Sequence, residues 1–117
     1  MDGAVFDSVT TTALSSALDG LAARQRAIAD NIANVNTPNY RAKIVSFENA
    51  LSQSVAAGSG AAGVTQSEST APTNVNGNNV SLDSETLNNI ETVLRYQFAT
   101  RAVNMEFDAT SAALRTA

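Results

Sequence analysis

Glu48, Glu68, Asp83 and Lys43 are the side chains best suited to act as acids or bases in this chain, and abundant serine could supply a nucleophile. None of these serines has a histidine to activate it, because the 117-residue sequence contains none. No Gly-x-Ser-x-Gly elbow and no phosphate-cradling loop occurs. The absence of cysteine excludes disulfides and thiolate metal sites, and the commonest metal ligand is missing with histidine. Glu68 falls in a stretch of Ala, Gly, Ser, Thr and Asn that could not hold it to catalytic tolerance, so it reads as a solubilising charge. The remaining acids read as first-turn helix charges. The sequence predicts no enzyme, no cofactor and no metal site.

Charge narrows the partners. The net charge is −4, and Arg24, Arg26, Arg41 and Lys43 form only a loose basic patch without interleaved aromatics, which argues against nucleic acid. Residues 1–23 carry Asp2, Asp7 and Asp19 but no Lys or Arg, so the basic start of a cleaved secretory signal is not expected. No apolar run approaches the roughly 20 residues that span a bilayer. Hydrophobic residues make up 44% of the chain but aromatics only 5%. Much of the apolar content is alanine, which suits close helix packing better than a thick core.

The positioning elements follow from periodicity, which predicts an all-α fold. Two long antiparallel helices form a coiled-coil hairpin, joined by a partly extended, largely disordered middle segment with one short helix. After an N-terminal extension (1–7), the first helix is expected over 8–35. Leu14, Leu18, Leu21, Gln25, Ile28, Ile32 and Val35 follow alternating spacings of four and three, which makes a packing seam. Gln25 on that seam either fixes register or snorkels. Asp7 and Ser8 are candidate N-caps, and the β-branched run Thr10-Thr11-Thr12 should weaken the first turn. The connection spans 36–80, with extended chain over 41–45, a short helix over 47–55 and a disordered linker over 56–79. The second helix is expected over 81–117, capped by Ser81 or Asp83. Its main stripe is Leu87, Ile90, Leu94, Phe98, Ala102, Met105, Ala109 and Ala112, and Leu114 lies on a second stripe with Val93, Tyr96, Val103 and Phe107. Two stripes exceed what one partner helix covers, so either the middle segment or neighbouring subunits must bury the rest.

The first helix stops abruptly at Asn31-Ile32-Ala33-Asn34-Val35-Asn36-Thr37-Pro38-Asn39-Tyr40-Arg41. Asparagine tolerates the left-handed conformation that ends helices, and Pro38 cannot continue one, so Asn31, Asn34 and Asn36 are expected at the exit. This run resembles the N-terminal signature of bacterial flagellar axial proteins, Asn-[Ile/Leu]-Ala-Asn-x-[Asn/Asp]-Thr-x-x-Tyr. Gly77-Asn78-Asn79-Val80-Ser81-Leu82-Asp83-Ser84-Glu85 resembles the start of the C-terminal helix of rod proteins, Leu94-Arg95-Tyr96-Gln97 a segment inside it, and Ala113-Leu114-Arg115-Thr116-Ala117 its end. Together with the short middle region, these segments resemble proximal rod proteins of the flagellar basal body. Ser81 and Ser46 depart from the pattern, which more often has Asp or Asn and an acidic residue there. Met1–Ala4 look like an extension.

The resemblance implies a structural subunit that polymerises helically through its paired terminal helices into a drive shaft around an export channel. Its partners would be copies of itself, other rod proteins and the ring or export-gate adaptors. Its location would be the periplasmic rod, reached by type III export without a cleaved signal. It also makes Asn31, Ile32, Ala33, Asn34, Asn36, Thr37, Tyr40, Arg41, Gly77, Asn78, Asn79, Leu94 and Tyr96 motif or assembly residues. Tyr40 is expected to pack on the helix pair with its hydroxyl bonded at a subunit boundary, while Arg41 and Lys43 either meet acids or stay solvated. Leu14, Leu18, Leu21, Ile28, Ile32, Leu87, Ile90, Leu94, Phe98, Met105 and Leu114 are expected to pack the helix pair. The alternative is a small secreted helical hairpin acting as an adaptor or effector of another secretion system.

Overall fold

A computed structural model describes residues 2–116, and side-chain surroundings over 8–115. The order is α1 (Asp2–Ala33), β1 (Lys43–Ser46), α2 (Glu48–Ala56), β2 (Thr65–Glu68) and α3 (Leu82–Thr116). The chain is mostly helical, with long helices at both ends and a two-stranded antiparallel sheet between them. The molecule measures 66 × 25 × 14 Å, and its radius of gyration of 18.1 Å exceeds the roughly 13 Å of a compact domain this long.

Helix α1 is already formed at Asp2, so Asp7 and Ser8 are interior residues rather than N-caps. The Thr run does not interrupt it: Thr12 Oγ1 donates to the Ser8 carbonyl at 2.9 Å, a back-bond that satisfies the hydroxyl inside the helix. The expected extension at Met1–Ala4 begins outside the described residues, at Met1. At the far end the chain leaves by tight turns. Thr37 N–H donates to the Asn34 carbonyl at 3.0 Å, and Tyr40 N–H to the Thr37 carbonyl at 3.3 Å. In the second turn Pro38 occupies the position that favours its fixed φ, and Asn39 follows with φ +64°. The left-handed residue is therefore Asn39. Asn34 and Asn36, expected to be left-handed, are not, because the reversal is deferred until Pro38 has set the turn.

The connection departs most from expectation. The segment expected to be disordered over 56–79 is folded against the rest. Its strand β2 pairs with β1 in the register Lys43↔Glu68, Ile44↔Ser67, Val45↔Gln66 and Ser46↔Thr65. Ser16 on α1 donates to the Gly60 carbonyl at 2.9 Å and accepts from Ala62 N–H at 3.2 Å. Ser69 N–H donates to the Ala42 carbonyl at 2.8 Å. Poor apolar content hid this order, because the segment is held by main-chain hydrogen bonds rather than by buried side chains.

The core lies in the middle of the rod. Leu21 and Ala27 of α1 pack with Val45 and Phe47, joined by Ala17, Ala23, Leu51 and Ala99. Gly20 allows this: a Cβ there would overlap the Phe47 ring. Arg24 caps the same ring, its Cζ 5.0 Å from the centroid.

Helices α1 and α3 run antiparallel, but not on the predicted stripe. The face α3 turns to α1 carries Glu85, Thr92, Ala99 and Glu106 at seven-residue spacing, with Val93, Ala102 and Val103 half-buried beside them. Leu87, Ile90, Leu94, Phe98, Met105 and Leu114, expected to pack the pair, are instead exposed, Leu87 and Phe98 each at 67%. On α1, Leu21 and Ile28 are buried, Leu14 and Leu18 are half-buried, and Ile32 is exposed. Small side chains let two helices approach closely, whereas a row of leucine and phenylalanine holds them apart. The face of α3 that meets α1 carries threonine, alanine and valine between two glutamates, and the bulky stripe is left outward.

Candidate functional site

Two features stand out in this scaffold: a polar joint where the helix ends meet, and the bare stripe of α3. Asn31 sits in the last turn of α1 and is completely buried, at 0% exposure. Its side-chain Nδ2 donates to the Lys43 carbonyl and to Glu85 Oε1, both at 3.0 Å. Its Oδ1 accepts from Lys43 N–H at 2.8 Å and from the Tyr40 hydroxyl at 3.3 Å. Asn31 is thus not the exit cap expected of it. Its amide pairs with the backbone of β1 as another strand would, and reaches 54 residues along the chain to α3.

Capping falls to Asn34 and to Asn78. Asn34 Nδ2 bonds the Asp30 carbonyl at 2.8 Å, and its Oδ1 accepts from Thr37 Oγ1 at 3.0 Å. Asn78, also fully buried, donates from Nδ2 to the carbonyls of Asn34 at 2.9 Å and Thr37 at 2.8 Å. The carbonyls of the turns that follow α1 are therefore held by a side chain from the segment that opens α3. Asn79 Oδ1 accepts from Ala42 N–H at 2.7 Å, and its Nδ2 holds the Ser69 and Ala71 carbonyls. Gly77, just before these two asparagines, supplies a positive φ of 83°. Ser81 then caps α3, accepting from Ser84 N–H at 3.3 Å, so the cap is Ser81 and not Asp83.

The two motif segments thus meet in one hydrogen-bonded knot. Tyr40 is half-buried and its hydroxyl serves this knot within the chain. Lys43 pairs with Asp30 at 3.1 Å, and that carboxylate holds its ammonium pKa above the ordinary value. Arg41 is exposed, as are Ile32, Ala33, Asn36 and Thr37. Leu94 and Tyr96 lie exposed on α3, away from the knot.

Beside the joint, an open cleft of about 320 Å³ lies between α1, β1, the start of α2 and α3. An ion cluster lines it. Arg24 clasps Glu48 through both guanidinium nitrogens, at 2.5 and 2.7 Å, and donates to the Val45 carbonyl. Arg95 of α3 reaches Glu48 at 3.1 Å and Glu91 at 2.5 Å. The Arg24 guanidinium holds the Glu48 carboxyl down to about 2. Glu48 is therefore ionised and committed to arginine, which removes it as a general acid. Glu68 and Asp83 lie exposed at separate places, so the four candidate acids and bases form no catalytic constellation. Glu85 is the opposite case: 6% exposed, with Oε2 buried and without a hydrogen-bond donor among the described residues. Burial pushes its carboxyl pKa up against the opposing Asn31 hydrogen bond.

Sequence reasoning missed the Arg24–Glu48 clasp, whose partners no local spacing relates, and the Gly20–Phe47 contact. A glycine inside an apolar helical repeat was the available signal for the second. Asn31 and Glu85 were both inside motif segments, but only the fold puts them together.

A family model for the flagella basal body rod protein matches residues 12–41, the seam and exit of α1. The flagellar basal body rod protein FlgB of Bacillus subtilis (strain 168) is 50% identical over 46 residues, 39% of this chain. FlgB of Borrelia hermsii is 53% identical over 38 residues, 32% of this chain. Over these segments the chain is similar to flagellar rod proteins of the FlgB type. The aligned part spans only 36% and 28% of the lengths of those two relatives. Among the described residues no helix is long and apolar enough to cross a membrane.

Proposed function

We propose that the chain is a structural subunit of the proximal flagellar rod. It polymerises helically into a drive shaft that transmits torque and surrounds an export channel. The observation that carries this reading is the exposed row Leu87, Ile90, Leu94, Phe98 and Met105 on α3. A row this long and apolar on a water-facing helix favours burial against neighbours. Head-to-tail contact between copies gives an open helical assembly when the rotation between them does not close a ring. In this reading the asparagine joint fixes the height at which the two helices start and stop, so that successive subunits meet the same surface. Copies of the chain, other rod proteins and the adaptors of the ring or export gate are its partners. Its place is the periplasmic part of the basal body, reached through the flagellar export apparatus.

Gel filtration of the chain mixed with a second rod-type protein tests this. Co-elution is expected, and it should disappear when Leu94→Glu and Phe98→Glu place charge on the stripe. Separate elution of the wild-type proteins at every ratio and concentration would sink the proposal.

A further inference from the structure

We infer that the Asn31–Glu85 contact is a proton-operated latch, closed when Glu85 is the neutral acid and loosened when it ionises. The inference goes beyond the rod reading and stands on the joint's own geometry. Glu85 Oε1 receives one hydrogen bond, from Asn31 Nδ2 at 3.0 Å. Its Oε2 is buried and receives none among the described residues. A buried carboxylate left with one donor is poorly solvated, and burial favours its neutral form. Asn31 cannot supply a second donor to Glu85, because its other Nδ2 hydrogen is committed to the Lys43 carbonyl.

The cations nearby are occupied as well. In the cleft that Glu85 helps to line, Arg24 from α1 is clasped by Glu48 from α2, and Arg95 from α3 bridges Glu48 and Glu91. Lys43 from β1 is paired with Asp30. Each positive group facing the cleft has an acid of its own, which leaves the Glu85 charge uncompensated. Burial displaces the Glu85 carboxyl upward from its ordinary value. For such a group the stabilising contribution is complete below the ordinary glutamate pKa and is lost as pH rises through the folded-state value. Ionisation leaves a poorly solvated charge where the first turn of α3 meets the last turn of α1, and the single Asn31 hydrogen bond offsets that cost only in part, so the joint is where loosening would begin.

The test uses the full-length chain, labelled with carbon-13 at glutamate side-chain carboxyls and titrated by NMR, together with urea melts of wild type and Glu85→Gln across the same pH range. Glu85 should titrate above the usual glutamate value of about 4.3. The Lys43 amide and Asn31 side-chain amide signals should move with the same midpoint. Between the ordinary and folded values, the folding constant of wild type relative to Glu85→Gln should fall about tenfold per pH unit. A Glu85 midpoint at or below the ordinary value overturns the latch, as does a Glu85→Gln chain with the same pH slope as wild type. Should that variant not fold, the wild-type carboxyl titration decides alone.

Discussion

The joint and the open end of the helix pair are built from opposite materials. Around Asn31, Asn78 and Phe47 the groups described above are buried, paired or both, and contacts join residues far apart in the chain. Toward Met105 and Leu114 the same long helix shows large apolar side chains to water. One half of the molecule is finished within a single chain and the other is not. The contrast teaches that hydrophobicity does not mark the self-contained part of this protein. A small apolar core around Phe47 and the asparagine joint build it together, while the leucines and phenylalanines of α3 mark the part left for others.

Substitutions in the two regions should therefore act differently, and the greatest loss is expected where Gly20 touches Phe47. Gly20→Val places branched carbon inside the ring's volume and should cost the folded chain about 3 kcal/mol or more in urea melts. A smaller but still large loss, about 2–3 kcal/mol, is expected for Asn31→Ala, which strands Lys43 N–H, its carbonyl and Glu85 in a buried site. Retention of wild-type stability by Asn31→Ala would show that water replaces the amide and that the joint is not the finished half.

Glu48→Gln weakens the arginine clasp. Because Glu48 is partly exposed, solvent screening limits the loss to about 1 kcal/mol. The pH dependence has a definite sign. The Glu48 pKa is lowered, so its contribution is present above the ordinary carboxylate range and lost as pH falls toward about 2. Acid titration of wild type against Glu48→Gln should show their stabilities converging in that window. Least affected of all should be the fold of Leu94→Glu, within about 0.5 kcal/mol of wild type, since the residue is already exposed. If Leu94→Glu unfolds the isolated chain, the stripe is part of the finished half and the comparison fails.

The existence of both long helices and the place where the first one stops were legible from period and from Pro38. The short helix after Phe47 was legible within a residue, expected at 47–55 and found at 48–56. Which side of α3 faces inward was not. Counting apolar residues selected Leu87, Ile90, Leu94 and Phe98, but close approach of two helices selects small side chains, and periodicity carries no term for distance. The order of 57–79 was hidden for a related reason. Its hydrogen bonds to Ala42, Ser16 and Val45's strand involve backbone groups, which every residue possesses and no composition reveals.

By itself the sequence determined that two long helices exist, that the first stops before Pro38, and that there is more apolar surface than one hairpin can bury. These are local or additive properties, readable from spacing and residue type. Tertiary structure alone decided that Asn31 meets Glu85, that Asn78 closes the end of a helix some forty residues earlier, and that the bulky stripe faces outward. Those outcomes depend on which surfaces come within hydrogen-bond or van der Waals reach once the chain doubles back, and such distances exist only in three dimensions.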